Sequence, residues 1–168
     1  MLFRSSLARQ EAEAATRLIR QSPATSFPTF DGFAGAAEVY LSSWEAEGKS
    51  QTSNFKIQLQ TSARQACQAL RNFARAYPVG RPRARLYQGW YEWLEDKPVQ
   101  AFGTWQTGLG LAGQLAMPYE QGLAHYEIGR HASGEERQNH LGRALEIFEQ
   151  LGAAYDAGRA RQGVHTGD

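Results

Sequence analysis

Apolar residues recur along this chain at three- and four-residue intervals, the period of one face of an α-helix, and no stretch alternates apolar with polar long enough to predict a strand. Leu7, Ala14, Ala15, Leu18 and Ile19 form such a stripe over Leu2–Gln21. Ala63, Ala66, Leu70, Phe73 and Tyr77 form another over Ser53–Ala76, and Leu86, Trp90, Trp93 and Leu94 a broader one over Arg81–Glu95. Proline and glycine separate these segments at Pro23, Pro28, Gly32, Gly48, Pro78, Pro82, Pro98 and Pro118, and good helix formers (Ala, Leu, Gln, Glu, Arg) fill them. The same pattern predicts helices over Phe33–Glu47, Lys97–Leu115, Pro118–His131, Glu135–Leu151 and Ala153–Arg161, with a loop carrying Pro23, Pro28 and Gly32 behind the first helix. Pro98 and Pro118 fit first helical turns, where a missing N–H costs nothing. The expectation is an all-α chain of about eight helices.

A spacing repeats inside it. Ala69 with Phe73, Ala101 with Trp105 and Ala144 with Phe148 each set a small residue four positions before a large aromatic, and Ala76 and Gly108 add a small residue three places further on. This is the second-helix element of a tetratricopeptide unit, where the small residue admits the paired helix and the ring fills the gap beneath. The intervals are 32 and 43 residues against a nominal repeat of about 34, which predicts an insertion at Ala132–Glu135, around Ser133-Gly134. The first-helix half is poorly kept, with Gly89 alone in place of the fuller motif. The reading is one domain, 1–168, of divergent tetratricopeptide-like hairpins stacked as a short α-solenoid. Residues 1–32 give an N-terminal helix and loop, 33–77, 78–117 and 118–152 give hairpins, and 153–168 give a capping helix and tail. An ordinary helical bundle with coincidental matches is the alternative.

Three stretches are more specific: Tyr77-Pro78-Val79-Gly80-Arg81-Pro82, then Gly89-x₃-Trp93-Leu94, then the run from Met117-Pro118-Tyr119-Glu120-Gln121-Gly122 to Gly129-Arg130-His131. Over Ala76–Tyr155 the chain resembles the C-terminal tetratricopeptide-like helical-repeat region of large bacterial signalling proteins that join a class III adenylate/guanylate cyclase to an AAA-type (STAND) ATPase. That resemblance implies a sensor or protein-binding arm whose nucleotide chemistry sits in upstream domains. The chain itself has no G-x₄-G-K-[ST] loop and no cyclase-like metal-carboxylate pattern, so no enzyme activity carries over. The expectation is either a piece of a longer polypeptide or a free-standing relative.

Charge sharpens this little: 18 basic against 17 acidic residues give no overall field toward nucleic acid or an anionic membrane, so any binding surface must be local. Cys67 cannot form an internal disulfide and reads as a buried filler beside Ala66. The start lacks the order of a signal peptide, and no apolar run approaches the ~20 residues of a membrane span, so a cytoplasmic location is expected.

Candidate chemistry is sparse. Arg81, Arg83 and Arg85 open a helix, where cations gain nothing from its dipole. They either pair within the chain, with Glu120 or Glu127, or grip carboxylates or phosphates of a partner. Trp90, Trp93 and Trp105 read as core, which leaves Tyr87 and Tyr91 on an adjoining face for partner contact. Gly108-Leu109-Gly110-Leu111-Ala112-Gly113 matches a dinucleotide fingerprint literally but has no strand before it, and reads as close helix packing. His125 and His131 lack the i, i+4 spacing of a metal face, with His140 and His165 elsewhere. His125 fits an interhelix hydrogen bond and His131 a capping cation.

The expected partner-binding residues are therefore Arg83, Arg85, Tyr87, Tyr91, Glu120 and His125, with no catalytic, metal or cofactor site. Glu120, Glu127, His125 and Tyr126 are too little to assemble a reaction. The expected function is a protein-interaction or regulatory scaffold that binds a protein segment or a neighbouring domain of its own polypeptide, but neither nucleic acid nor membrane. The alternative is a small-molecule sensor controlling an attached ATPase or cyclase. An uncapped repeat end near Leu2, Phe3 and Leu7 would favour a homodimer.

Overall fold

The computed structural model describes residues 27–48 and 54–165. Within them the chain is all-α, with α1 Phe27–Glu47, α2 Asn54–Ala76, a single 3₁₀ turn Pro78–Gly80, α3 Arg81–Leu94, α4 Pro98–Gln114, α5 Pro118–His131, α6 Gly134–Gln150 and α7 Ala154–His165. The helix expected over Leu2–Gln21 and the apolar end at Leu2, Phe3 and Leu7 lie outside the described residues. None of the described helices is long and apolar enough to cross a membrane.

The boundary that differs most is the start of α1, which begins at Phe27 rather than Phe33 and takes in Pro28 and Gly32, expected in a loop. Pro28 is the second residue of the helix, where its missing N–H leaves no hydrogen bond unmade, so it opens α1.

Every helix packs chiefly on the ones before and after it, and α1, α3 and α5 also touch in succession. The turns that make this possible repeat. After α3, Asp96 takes φ 61° and the Lys97 N–H donates to Glu92 O at 3.0 Å. After α4, Ala116 takes φ 51° and Met117 N–H donates to Ala112 O at 2.9 Å; after α6, Gly152 takes φ 67° and Ala153 N–H donates to Phe148 O at 2.8 Å. Each is a left-handed cap that satisfies the last carbonyls and reverses the chain into the next helix. Only at Gly152 is the left-handed residue a glycine, so Asp96 and Ala116 are held there at a cost.

The hairpins close where a glycine lies under a large side chain. A Cβ on Gly89 would stand 2.4 Å from Trp105 Nε1, and one on Gly122 would stand 2.7 Å from the Phe148 ring. Trp105 is wholly buried, donates its indole N–H to Leu86 O at 3.1 Å, and lies parallel to the His131 ring at 5.2 Å between centroids. In α5 a second such place follows two turns later, where Gly129 faces Leu141. The expected insertion at Ala132–Glu135 is not found: only Ala132 and Ser133 separate α5 from α6, and α4 and α6 are both 17 residues long, so the longer interval is a shift of register, with Ala101 in the first turn of α4 and Ala144 beyond the middle of α6. Ala101, Trp105, Ala144 and Phe148 are buried as expected, but Ala69 is only half-buried beside a buried Phe73. Most of the core joins α1 to α4, and a smaller cluster of Ala144, Phe148, Ala157 and Ala160 holds α6 to α7.

The glycine run is only partly close packing. A Cβ on Gly108 would sit 3.0 Å from Arg85 Cβ, as expected, whereas Gly110 and Gly113 are exposed and face open space. The run lies inside α4, with no strand before it.

Candidate functional site

The central helix α3 packs on α1, α2, α4 and α5. Successive odd positions on it lie about 200° apart, so Arg83 and Arg85 leave it on different sides, and the arginines do not form one patch.

Arg83 turns toward α5. Its Nη2 lies 2.6 Å from Glu120 Oε1, with the two side chains 15% and 12% exposed, and its guanidinium covers the Tyr119 ring at 5.6 Å. Burial lowers its pKa, but the neighbouring Tyr87, Glu120 and Tyr119 oxygens outweigh that and raise it. Tyr119 in turn donates to Asp156 Oδ2 at 2.9 Å, and burial followed by that bond pushes its phenol up to about 12. Asp156 also lies 3.5 Å from Arg159, whose guanidinium covers Tyr126 at 4.5 Å. Tyr87 is buried, not at the surface as expected: it is 4% exposed and donates to Glu38 Oε2 at 3.2 Å, and its pKa is raised by burial first and by Glu38 second. Its side of α3 is covered by α1, whose Glu38 takes the phenol.

Glu38, Arg83, Tyr87, Trp90, Tyr119, Glu127, Asp156 and Arg159, drawn from α1, α3, α5 and α7, thus line one recess of about 50 Å³. Beside it Arg130 ties three of these helices together: Nη2 meets Glu45 Oε1 at 2.6 Å, and the guanidinium covers Trp90 at 5.1 Å. Its Nε lies 2.9 Å from Glu127 Oε2, a charge contact off the hydrogen-bonding line. Two buried donors in the recess have no acceptor among the described residues, the Trp90 indole Nε1 and Arg83 Nε. A buried donor without a partner costs about 1–3 kcal/mol.

Arg85 faces the other way. With Arg71 and Arg75 of α2 and Arg81 of α3 it surrounds a cleft of about 430 Å³ floored by Ala74, Ala84 and Leu111. Tyr91 borders an adjoining cleft, half-buried, edge-on to Trp44 at 5.5 Å and hydrogen-bonded to Glu95 at 3.3 Å. His125 lies on a third side, its Nδ1 3.0 Å from His140 Nδ1, the interhelix hydrogen bond expected of it. Burial first, then His140 and Arg143, push it down to about 4, and burial lowers His140 too, so the pair is neutral at pH 7. His131 stands in the last turn of α5 with its side chain only 9% exposed. It is lodged against Trp93 and Trp105, and its Nε2 accepts from Arg130 Nε at 3.0 Å. Cys67 is buried, its Sγ 3.6 Å from Tyr87 O, and burial pushes its thiol up to about 12. Among the described residues no three His, Cys, Asp or Glu side chains cluster to hold a metal ion.

Of the six expected contact residues, Arg83, Tyr87 and Glu120 share one face, while Arg85, Tyr91 and His125 lie elsewhere. Sequence reasoning missed Glu38, Trp90, Asp156 and Arg159 as site residues, and Arg71 and Arg75 of the second cleft. For the second cleft a signal exists: between Glu47 and Glu92 there is no Asp or Glu, but there are eight Lys and Arg. Comparison with protein-family models, curated proteins and solved structures finds no match to this chain.

Proposed function

We propose that this chain is a non-enzymatic, cytoplasmic protein-interaction module whose hairpins stack as a short tetratricopeptide-like solenoid, with α7 as its cap. In this reading it is the helical arm of a larger signalling protein, in keeping with the resemblance of Ala76–Tyr155 to the repeats of cyclase–ATPase regulators. The first helices α1, α3, α5 and α7 receive a segment of a partner or of a neighbouring domain. The observation that carries the reading is the recess these four helices share, with two buried donors awaiting an acceptor. Its volume suits a single carbonyl or carboxylate group entering from a docked segment, and the mixed charges around it would select the segment by pattern.

Selection from a displayed library of helical and extended peptides tests this. The expected result is a convergent set of binders whose affinity falls about tenfold on Trp90→Phe, which keeps the packing and removes the N–H, and on Arg159→Gln. Failure to enrich any set, or binders indifferent to both changes, would overturn it.

A second reading, a small-molecule sensor, is favoured by one observation of its own, the 430 Å³ cleft on the other side of α3.

A further inference from the structure

The cleft between α2, α3 and α4 gathers four guanidinium groups, Arg71, Arg75, Arg81 and Arg85, around an apolar floor, and among the described residues no acid lines it. The whole chain carries a net charge of only +1, so this concentration is local and uncompensated. Two of the four arginines are held in place. Arg71 donates to Gln88 and Gln68, Gln88 is anchored on Glu92 at 2.7 Å, and Arg81 Nε donates to Ala74 O at 3.4 Å. Arg75 and Arg85 are exposed and make no ion pair among the described residues. Like charges so placed repel one another, and the repulsion persists unless an anion sits between them. The guanidinium fork matches phosphate oxygens in pairs.

We infer that this cleft binds a compact oligophosphate, a ligand carrying two or more linked phosphate groups. This gives the sensor reading a ligand class. It uses none of the first-helix recess, so the two can fail separately. The size of the ligand follows from where compensation resumes. The adjoining cleft of about 350 Å³ shares Arg71 and Gln88, but there Lys97 is paired with Glu95 at 3.0 Å. Arg64 also borders that cleft, but Glu95 places an acid in it, so the stretch lined by arginine without any acid is confined to one cavity, which fits a small polyanion better than a nucleic-acid backbone. A cavity of that size is in the range of small-ligand sites, about 300–1,000 Å³.

Calorimetric titration of the full chain with inorganic pyrophosphate tests the inference. One molecule should bind per chain, more tightly than sulfate at matched ionic strength, and Arg75→Gln/Arg85→Gln should weaken it by about tenfold or more. Both residues are exposed, so the double variant should fold. Arg143→Gln/Arg161→Gln removes the same charge from two exposed ion pairs elsewhere and should leave binding unchanged. Adenosine diphosphate binding more tightly than pyrophosphate would identify a nucleotide, and equal binding would identify the bare phosphates; either supports the site. Equal loss in the control variant, equal binding of sulfate, or displacement of pyrophosphate by far tighter binding of a single-stranded oligonucleotide or a phosphopeptide would overturn it.

Discussion

Arg83 and Arg85 stand two residues apart on α3, and the fold treats them in opposite ways. Arg83 is sunk among oxygens from α5 and paired with Glu120 at 2.6 Å, whereas Arg85 is exposed in a cleft whose charged lining, among the described residues, is arginine alone. The difference teaches that burial makes a partner obligatory, whereas exposure makes it optional. A desolvated cation must be compensated by whatever helix lies against it, while a solvated one can be left to water and ligands. The comparison breaks most directly through stability. Arg83→Ala leaves Glu120 buried without its counter-charge and uncovers the Tyr119 ring, and is expected to cost about 3 kcal/mol. Arg85→Ala relieves repulsion and should change stability by no more than about 0.5 kcal/mol. Urea unfolding of the two variants measures both, and similar losses would mean that the Arg83 contact is incidental.

His125 and His140 extend the rule to bases that can lose their proton. Arg143 and Glu136 are the charged groups that act on the pair, Arg143 lowering His125 and Glu136 raising His140, yet both imidazoles are held below their ordinary value, His125 at about 4. An arginine in that position would have to find an acid; a histidine discharges. The sign follows from linkage. The folded state binds protons more weakly than the unfolded chain, so the contribution is complete above the unfolded value of 6.5 and is lost as pH falls toward 4. Because His125 is only partly buried, about 1–2 kcal/mol is expected between those limits after allowing for solvent screening. His125→Gln should flatten the stability profile over that window relative to the parent chain. Parallel profiles would show that the pair is not under proton control.

How much of this could be read in advance depends on the range of the interaction. From Arg81 to Gln150 the helix ends were legible to within a residue, because they are set locally, by prolines in first turns and by left-handed caps. Pro28 misled because proline both ends one helix and opens another, and the residues before it carry no sign of which. The repeat was legible in its buried residues but not in its geometry: the interval between Ala101 and Ala144 gives a length, and only the contacts of Gly122 with Phe148 and of Gly129 with Leu141 show that it is a shift of register along helices of equal length. Tyr87 was misplaced because a helix enclosed on four sides spreads its buried positions too widely for a stripe to define one face. The recess was out of reach for a different reason. Glu38, Glu120 and Asp156 meet Tyr87, Arg83 and Tyr119 across 49, 37 and 37 residues of sequence, and nothing local announces such pairings.

The smallest effect bears on the uncompensated side alone. Gln68 is exposed on α2 and accepts a hydrogen bond from Arg71 through Oε1, while its Nε2 donates to Asn72 at 2.9 Å. Gln68→Glu keeps the acceptor for Arg71, adds a negative charge three residues before it on the same helix face, and releases Asn72 to water. An i, i+3 pair of this kind adds about 0.2–0.5 kcal/mol, so the free protein should become slightly more stable. The same charge reduces the field at the mouth of the cleft, so pyrophosphate should bind more weakly, and the loss should shrink as salt is raised. A gain in stability with unchanged pyrophosphate affinity would mean that Arg71 serves the helix and not the ligand, and would leave Arg75, Arg81 and Arg85 as the groups that hold the anion.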